Sequence, residues 1–588
     1  MTVRPYFSEK GFRTPPKWGD GTPLSLDFSG LIERAIGPGY SEALKKALVS
    51  AFEDYAPLVQ KFGDFAASGS LTPGDQFRKD GLGAMPLLPE STAKAVAEAP
   101  CVLAVMDETL PYGHSVLRRP FGETRLAEIW LQDCHPWPDQ HSDLPFGRAV
   151  SGAQVAQIEA SGVTRLDPRA VYYKTGPLDP LYPGQQQRYA QNHSHGSAVL
   201  GLAAEPFDGT APQGSAPVIM GVNVPPNAVR DTSGALLPFF LIMGMLYVLE
   251  RSRKLAAQLA PYREDGQAPE IPVVFSLSFG ILAGPKDGSH PLEQVMDALA
   301  ASDLSGLGPV KFVLPMGNAR RAAATATVPS GKSLGLRLLP DDWTPSYLEI
   351  WAPRRTDKPK AQSRISVTLT SPSGEELSFA GGAVGTITSQ SLAAVGAGAT
   401  VLAHWIANET AEGWREAVVI EFPATASQDL SAPVAPAGRW RLTLTDAEGA
   451  ELQAHVQRDD PLDGLSSGGR QGRFEVPEDG VILDATGTVS AFATGAGVTR
   501  AGGVYLDAVP EEGETHVLAP YSGALWDGAD NPDGDAFAPT ERSATSPGVP
   551  VHSLVGGRSL PGSGTSMAAP QIARQMAQAL IDGMSSSG

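Results

Sequence analysis

Apolar residues run along this chain in three rhythms, and each predicts a different kind of element. Continuous blocks at Cys101–Met106, Ser215–Val222, Val273–Gly280 and Val310–Asn318 are apolar on both faces or nearly so. Such blocks predict strands buried on both sides in a parallel sheet. The second rhythm is helical. Leu44, Leu48, Phe52, Tyr55, Val59 and Phe62 recur at helical spacing between Ser41 and Phe62, and Ile572, Met576, Ala579 and Leu580 do so between Gln571 and Leu580. The third rhythm is alternation. From about 325 to 470, short β-rich runs at 334–338, 347–351, 365–369, 418–422 and 440–444 are separated by turns such as Ser371-Pro372-Ser373-Gly374, predicting an antiparallel β-sandwich. Residues 486–503 then return to the first rhythm. The expected class is α/β, with a parallel sheet interrupted by a sandwich.

The Ser41–Phe62 stripe is expected to dock on the main domain rather than to guard a site. The run Ala235–Leu249 is the most membrane-like in the chain, but it is shorter than the roughly 20 residues needed to span a bilayer and contains Pro238 and Gly244. It is read as a buried helix.

Composition narrows the function. The chain has 588 residues and a formal net charge of −19, which argues against polyanionic partners, because nucleic-acid binding rests on Lys and Arg neutralising phosphate. Two cysteines, Cys101 and Cys134, cannot build a disulfide framework, and Met1–Asp20 holds no apolar signal core. A cytoplasmic protein without membrane association is expected. Cys134, His135 and His141 show no regular metal-ligand spacing, and neither does the His193/His195 pair. Asp527, Asp530, Asp533 and Asp535 offer oxygen ligands suited to calcium, but not at EF-hand spacing, so a solvated loop is the reading and no cofactor is required.

Four places carry chemistry. The block Cys101–Met106 delivers Asp107 to a strand's C-terminal end, where open α/β sheets bind ligands. His195 opens an apolar helix. Asn318 ends the strand Val310–Met316 behind Gly317, where an amide can meet a developing oxyanion, although Gly-Asn is also an everyday turn. Ser566 stands in Gly564-Thr565-Ser566-Met567-Ala568-Ala569-Pro570, at the mouth of a helix whose free N–H groups favour negative charge. A helix cap would use the same residue types.

These motifs resemble those of subtilisin-like serine proteases. Gly564–Pro570 matches the Gly-Thr-Ser-Met-Ala-x-Pro serine motif, His195-Gly196-Ser197-Ala198-Val199-Leu200-Gly201 the histidine motif with Ser197 for Thr, and Val102–Asp107 the aspartate strand. After Asp107 the family continues with Ser or Thr and then Gly, whereas Glu108 and Thr109 stand here. Pro315-Met316-Gly317-Asn318 replaces Ala-Ala-Gly-Asn, and His516–Pro520 resembles the segment leading to the serine. The order Asp, His, Ser is that of subtilisin. The resemblance implies a parallel sheet with helices on both faces, a triad of Asp107, His195 and Ser566, and Asn318 in the oxyanion hole. It also implies a substrate groove walled by Ser278, Phe279 and Gly280 and by Met316 and Gly317, open along its length as in an endopeptidase.

Segments 365–374 and 438–446 resemble the jelly-roll P domains of proprotein convertases. The expected organisation is an N-terminal extension at 1–100, a catalytic domain in two parts at 101–325 and 471–588, and the sandwich insert at 326–470. Partners would be a protein or peptide substrate and a regulatory protein bound through the N-terminal segment or the insert. Two rival readings remain: an esterase or amidase using the same residues, and a catalytically idle or zymogen-like binding protein.

Overall fold

The structure, a computed structural model, describes residues 35–36, 42–48, 51, 86–118, 120–134, 144, 146–160, 168–178, 188–206, 216–231, 234, 236–393, 398–410, 413–429, 431–459, 469–510, 515–525, 535–556 and 559–587. Its centre is an eight-stranded sheet of β1 (Val102–Asp107), β2 (Leu126–Leu131), β3 (Arg148–Ser151), β4 (Val218–Asn223), β5 (Ile271–Leu277), β6 (Leu307–Pro315), β7 (Val498–Tyr505) and β8 (Asp535–Glu541), in the order β8-β7-β6-β5-β1-β4-β2-β3. All neighbours are parallel except the antiparallel edge pair β2/β3.

Every residue of β1, β4 and β5 is buried, as their unbroken apolar sequence requires. Alternation along β1 divides the core. Val102, Ala104 and Met106 join one hydrophobic cluster with helices α2 (Leu237–Leu259) and α3 (Pro291–Ala301), and Leu103 and Val105 join the other with α1 (His195–Ala204) and α4 (Ala568–Ser587). Helices therefore cover both faces. The apolar run at 235–249 lies in α2, where Phe239 to Leu249 are all buried, and no helix among the described residues is long and apolar enough to cross a membrane.

Of the N-terminal stripe, Leu44 and Leu48 are buried in the cluster that contains α2, together with Ala35 and Ile36, and Arg253 of α2 donates to the Ala35 carbonyl. Phe52, Tyr55, Val59 and Phe62 lie outside the described residues, as do His135, His141, Asp527, Asp530 and Asp533.

The alternating region forms two antiparallel sheets, of five and seven strands, closed over a third hydrophobic cluster that includes Trp405 and Trp440. Burial along Ile365–Thr370 and Gly438–Asp446 follows the alternation in their sequences. The first sandwich strand is Thr325–Val328, and the short strands Arg473–Glu475 and Ile482–Leu483 still pair within it, beyond residue 470. The insert leaves the α/β core just after Asn318 and returns just before β7.

Candidate active site

Asp107 is the last residue of β1 and is fully buried. Its carboxylate accepts the Glu108 backbone N–H at 2.8 Å, and both of its oxygens lie 2.9 Å from Nδ1 of His195. Burial pushes the Asp107 carboxyl up to about 6, opposed by the neighbouring imidazole.

His195 is the first residue of α1, and its position follows from the residues around it. Ser194 caps the helix by accepting the Ser197 N–H at 2.9 Å, and Ser197 returns the bond to the Ser194 N–H at 3.1 Å. The Ser194 hydroxyl also donates to the Thr109 carbonyl at 2.9 Å, tying the helix start to the loop after Asp107. Glycine is required next, because a Cβ on residue 196 would lie 2.1 Å from the Glu108 carbonyl oxygen.

Glu108 stands where the resemblance leads one to expect a small hydroxyl residue. It is buried and forms an ion pair with Arg188, which the spacing of the two residues in sequence gave no reason to connect. A buried carboxylate needs such a partner.

Ser566 lies in the single 3-10 turn Thr565–Met567 that leads into α4. Its hydroxyl donates to the Ser278 carbonyl at 3.4 Å, and the Ser278 hydroxyl donates to the Ser566 carbonyl at 3.1 Å. Asn318 is held by Thr565, whose N–H and hydroxyl both donate to its side-chain oxygen, at 2.9 and 3.0 Å. Those two bonds fix the amide orientation and turn its NH2 group to the other side.

Asp107, His195, Asn318 and Ser566 line one cavity of about 260 Å³, with Ser278, Phe279 and Gly280 on its wall. Met316 and Gly317 are not among its walls. Met316 is buried with its N–H on Ala501 and its carbonyl on Ser490, and the Gly317 N–H donates to the Thr565 hydroxyl at 3.0 Å. Both sit behind Asn318. Sequence reasoning passed over other residues that line the cavity: Arg230 and Asp231, which follow β4, and Gln457, Arg458 and Asp459 from the sandwich. No local pattern announces them, since the fold alone brings them to this place. Among the described residues, no group of three or more His, Cys, Asp or Glu side chains is placed to hold a metal.

The parallel sheet with helices on both faces and a separate antiparallel sandwich is an α/β fold consistent with the subtilisin-like arrangement. Among solved structures the chain is similar to the CspB protease of Clostridium perfringens, with a TM-score of 0.54 and 17% identity over 84% of this chain and 88% of that one. No protein-family model and no curated protein matches it.

Proposed function

We propose that the protein is a serine peptidase that cleaves peptide bonds through an acyl-enzyme. The observation that carries this reading is the contact of His195 Nδ1 with both oxygens of the buried Asp107, 2.9 Å each, inside a cavity shared with Ser566 and Asn318. In this mechanism Asp107 fixes the imidazole with its proton on Nδ1, leaving Nε2 to take the proton from the Ser566 hydroxyl. The alkoxide attacks the substrate carbonyl, and the resulting oxyanion accepts hydrogen bonds from the Asn318 amide and the Ser566 backbone N–H. His195 then protonates the leaving amine, and water repeats the sequence on the acyl-enzyme to release the acid.

In the resting arrangement the Ser566 hydroxyl points to the Ser278 carbonyl, and rotation about one side-chain bond re-aims it. The similarity to a protease of known structure supports the reading at the level of fold. The test compares casein and a small ester as substrates of the wild type and of Ser566→Ala. The mechanism predicts that wild-type protein hydrolyses both and that the variant loses both. Ester hydrolysis without casein cleavage would favour an esterase, and no turnover of either a binding protein.

A further inference from the structure

Part of the cavity wall comes from outside the α/β core. Gln457, Arg458 and Asp459 directly follow the sandwich strand Leu452–Val456, and all three line the cavity that contains His195 and Ser566. The attachment is specific. The Gln457 side-chain oxygen accepts the N–H groups of Leu282 at 3.0 Å and Ala283 at 3.1 Å, so the sandwich is pinned to the chain just beyond the wall Ser278–Ile281.

The opposite wall converges on the same point. A Cβ on Gly234 would lie 2.8 Å from Ile281 Cγ2 and 3.1 Å from Gln457 Nε2, and Gly234 has φ +69°, so only glycine allows this approach without strain.

The direction of a bound chain follows from the site. Ser566 Oγ is 3.4 Å from the Ser278 carbonyl, so the residue whose carbonyl is attacked can offer its own N–H to Ser278. The leaving amine must instead face His195 for protonation. The part of the substrate N-terminal to the scissile bond therefore runs from Ser278 toward Ile281. At about 3.3 Å per residue, the three steps from Ser278 to Ile281 span at most roughly 10 Å.

We infer that the sandwich insert ends the substrate groove at Gln457 and Arg458, so that the enzyme takes about three residues on the N-terminal side of the bond it cuts and releases short N-terminal peptides. This rests on the peptidase reading and replaces the groove open along its length expected from sequence. It gives the insert a role in the site: the sandwich sets substrate length. The cavity lining on the sandwich side is also charged, by Asp231, Arg458 and Asp459, which disfavours apolar side chains there.

The test is a set of fluorogenic peptides with a common leaving group and one, two, three, four or six residues before the scissile bond, assayed with the full-length protein. Expected is a kcat/KM that rises to about three residues and falls at least tenfold by six, with Arg458→Ala recovering part of the loss on the six-residue substrate. Equal kcat/KM for three and six residues in the wild type overturns the inference while leaving the peptidase reading intact. No turnover at any length, together with no fluorophosphonate label on Ser566, overturns both.

Discussion

The side-chain oxygen of Asn318 accepts two hydrogen bonds from Thr565, the residue before Ser566, at 2.9 and 3.0 Å. One residue thus links the proposed oxyanion donor to the proposed nucleophile across an insert of more than a hundred residues. Thr565→Val would keep the shape but lose the hydroxyl's bonds to Asn318 and to the Gly317 N–H. We predict a fall in kcat of about tenfold with KM nearly unchanged, since only a transition-state interaction is loosened. Asn318→Ala removes the donor itself and should cost about 10²–10³ in kcat. Steady-state kinetics on one peptide substrate separates the two.

Gly564 has φ +106°, and a Cβ there would lie 3.0 Å from Asn318 Nδ2. Gly564→Ala therefore strains the turn, at a cost of about 1–3 kcal/mol, and crowds the amide that is to meet the oxyanion. Loss of stability in denaturant together with a reduced kcat is the expected pair of effects. A variant with unchanged kcat would show that Asn318 Nδ2 is not the donor.

The pH dependence has two opposite parts. Desolvation raises the Asp107 carboxyl from its ordinary 3.8 to about 6, against the pull of His195. The folded protein holds that proton more tightly than the unfolded chain, so this contribution to stability is complete below about 3.8 and is lost as pH rises to about 6. Activity moves the other way, because the mechanism needs the carboxylate. On the acid side kcat should fall through an apparent value near 6 that belongs to the coupled Asp107–His195 pair. Asp107→Asn should remove Asp107's share of that stability change and lower kcat by about 10⁴ at neutral pH.

Arg188 neutralises the buried Glu108 beside the site. Arg188→Ala leaves that carboxylate without its ion-pair partner and should destabilise the protein by about 3–5 kcal/mol. Arg188→Ala combined with Glu108→Ala removes that orphaned charge and should recover part of the loss, the buried Asp133 still lacking the Arg188 charge that faces it. Denaturant unfolding of the single and double variants measures both.

Ser490 links the chain behind Asn318 to the back of the wall Ser278–Ile281. Its N–H donates to Met316 at 2.7 Å, the Ala491 N–H donates to Ile281 at 3.0 Å, and its hydroxyl lies 2.6 Å from where a Cβ on Gly280 would be. Ser490 therefore fills the space behind Gly280 and opposes a large substrate side chain that would reach past the wall there. A peptide library should show Gly, Ala or Ser preferred there over Phe or Leu by tenfold or more, and Ser490→Gly should narrow that ratio.

The sequence made the sheet readable because strands buried on both faces leave no polar positions, as in β1, β4 and β5. The sandwich was readable from alternation, although its last short strands, with Phe474 and Leu483, carried too few residues to show it. Asp107, His195, Asn318 and Ser566, which line one cavity, could be singled out in sequence because each stands at a strand end or helix start, where local pattern and position coincide. Arg188, Thr565 and Gln457 were not, because their roles depend on partners 80, 247 and 175 residues away in the chain. Met316 was assigned to the groove on the strength of its loop, yet main-chain bonds to Ala501 and Ser490 hold it behind Asn318.

The central claim is that the Ser566 hydroxyl becomes the nucleophile under the influence of His195 and Asp107. The most direct measurement is the rate of fluorophosphonate attachment, mapped by mass spectrometry, in the wild type, Asp107→Asn, His195→Ala and Ser566→Ala. The account predicts a single adduct on Ser566 in the wild type, much slower attachment in the Asp107 and His195 variants, and none in the Ser566 variant. An adduct that forms on Ser566 at the same rate without His195, or on another residue altogether, would contradict it.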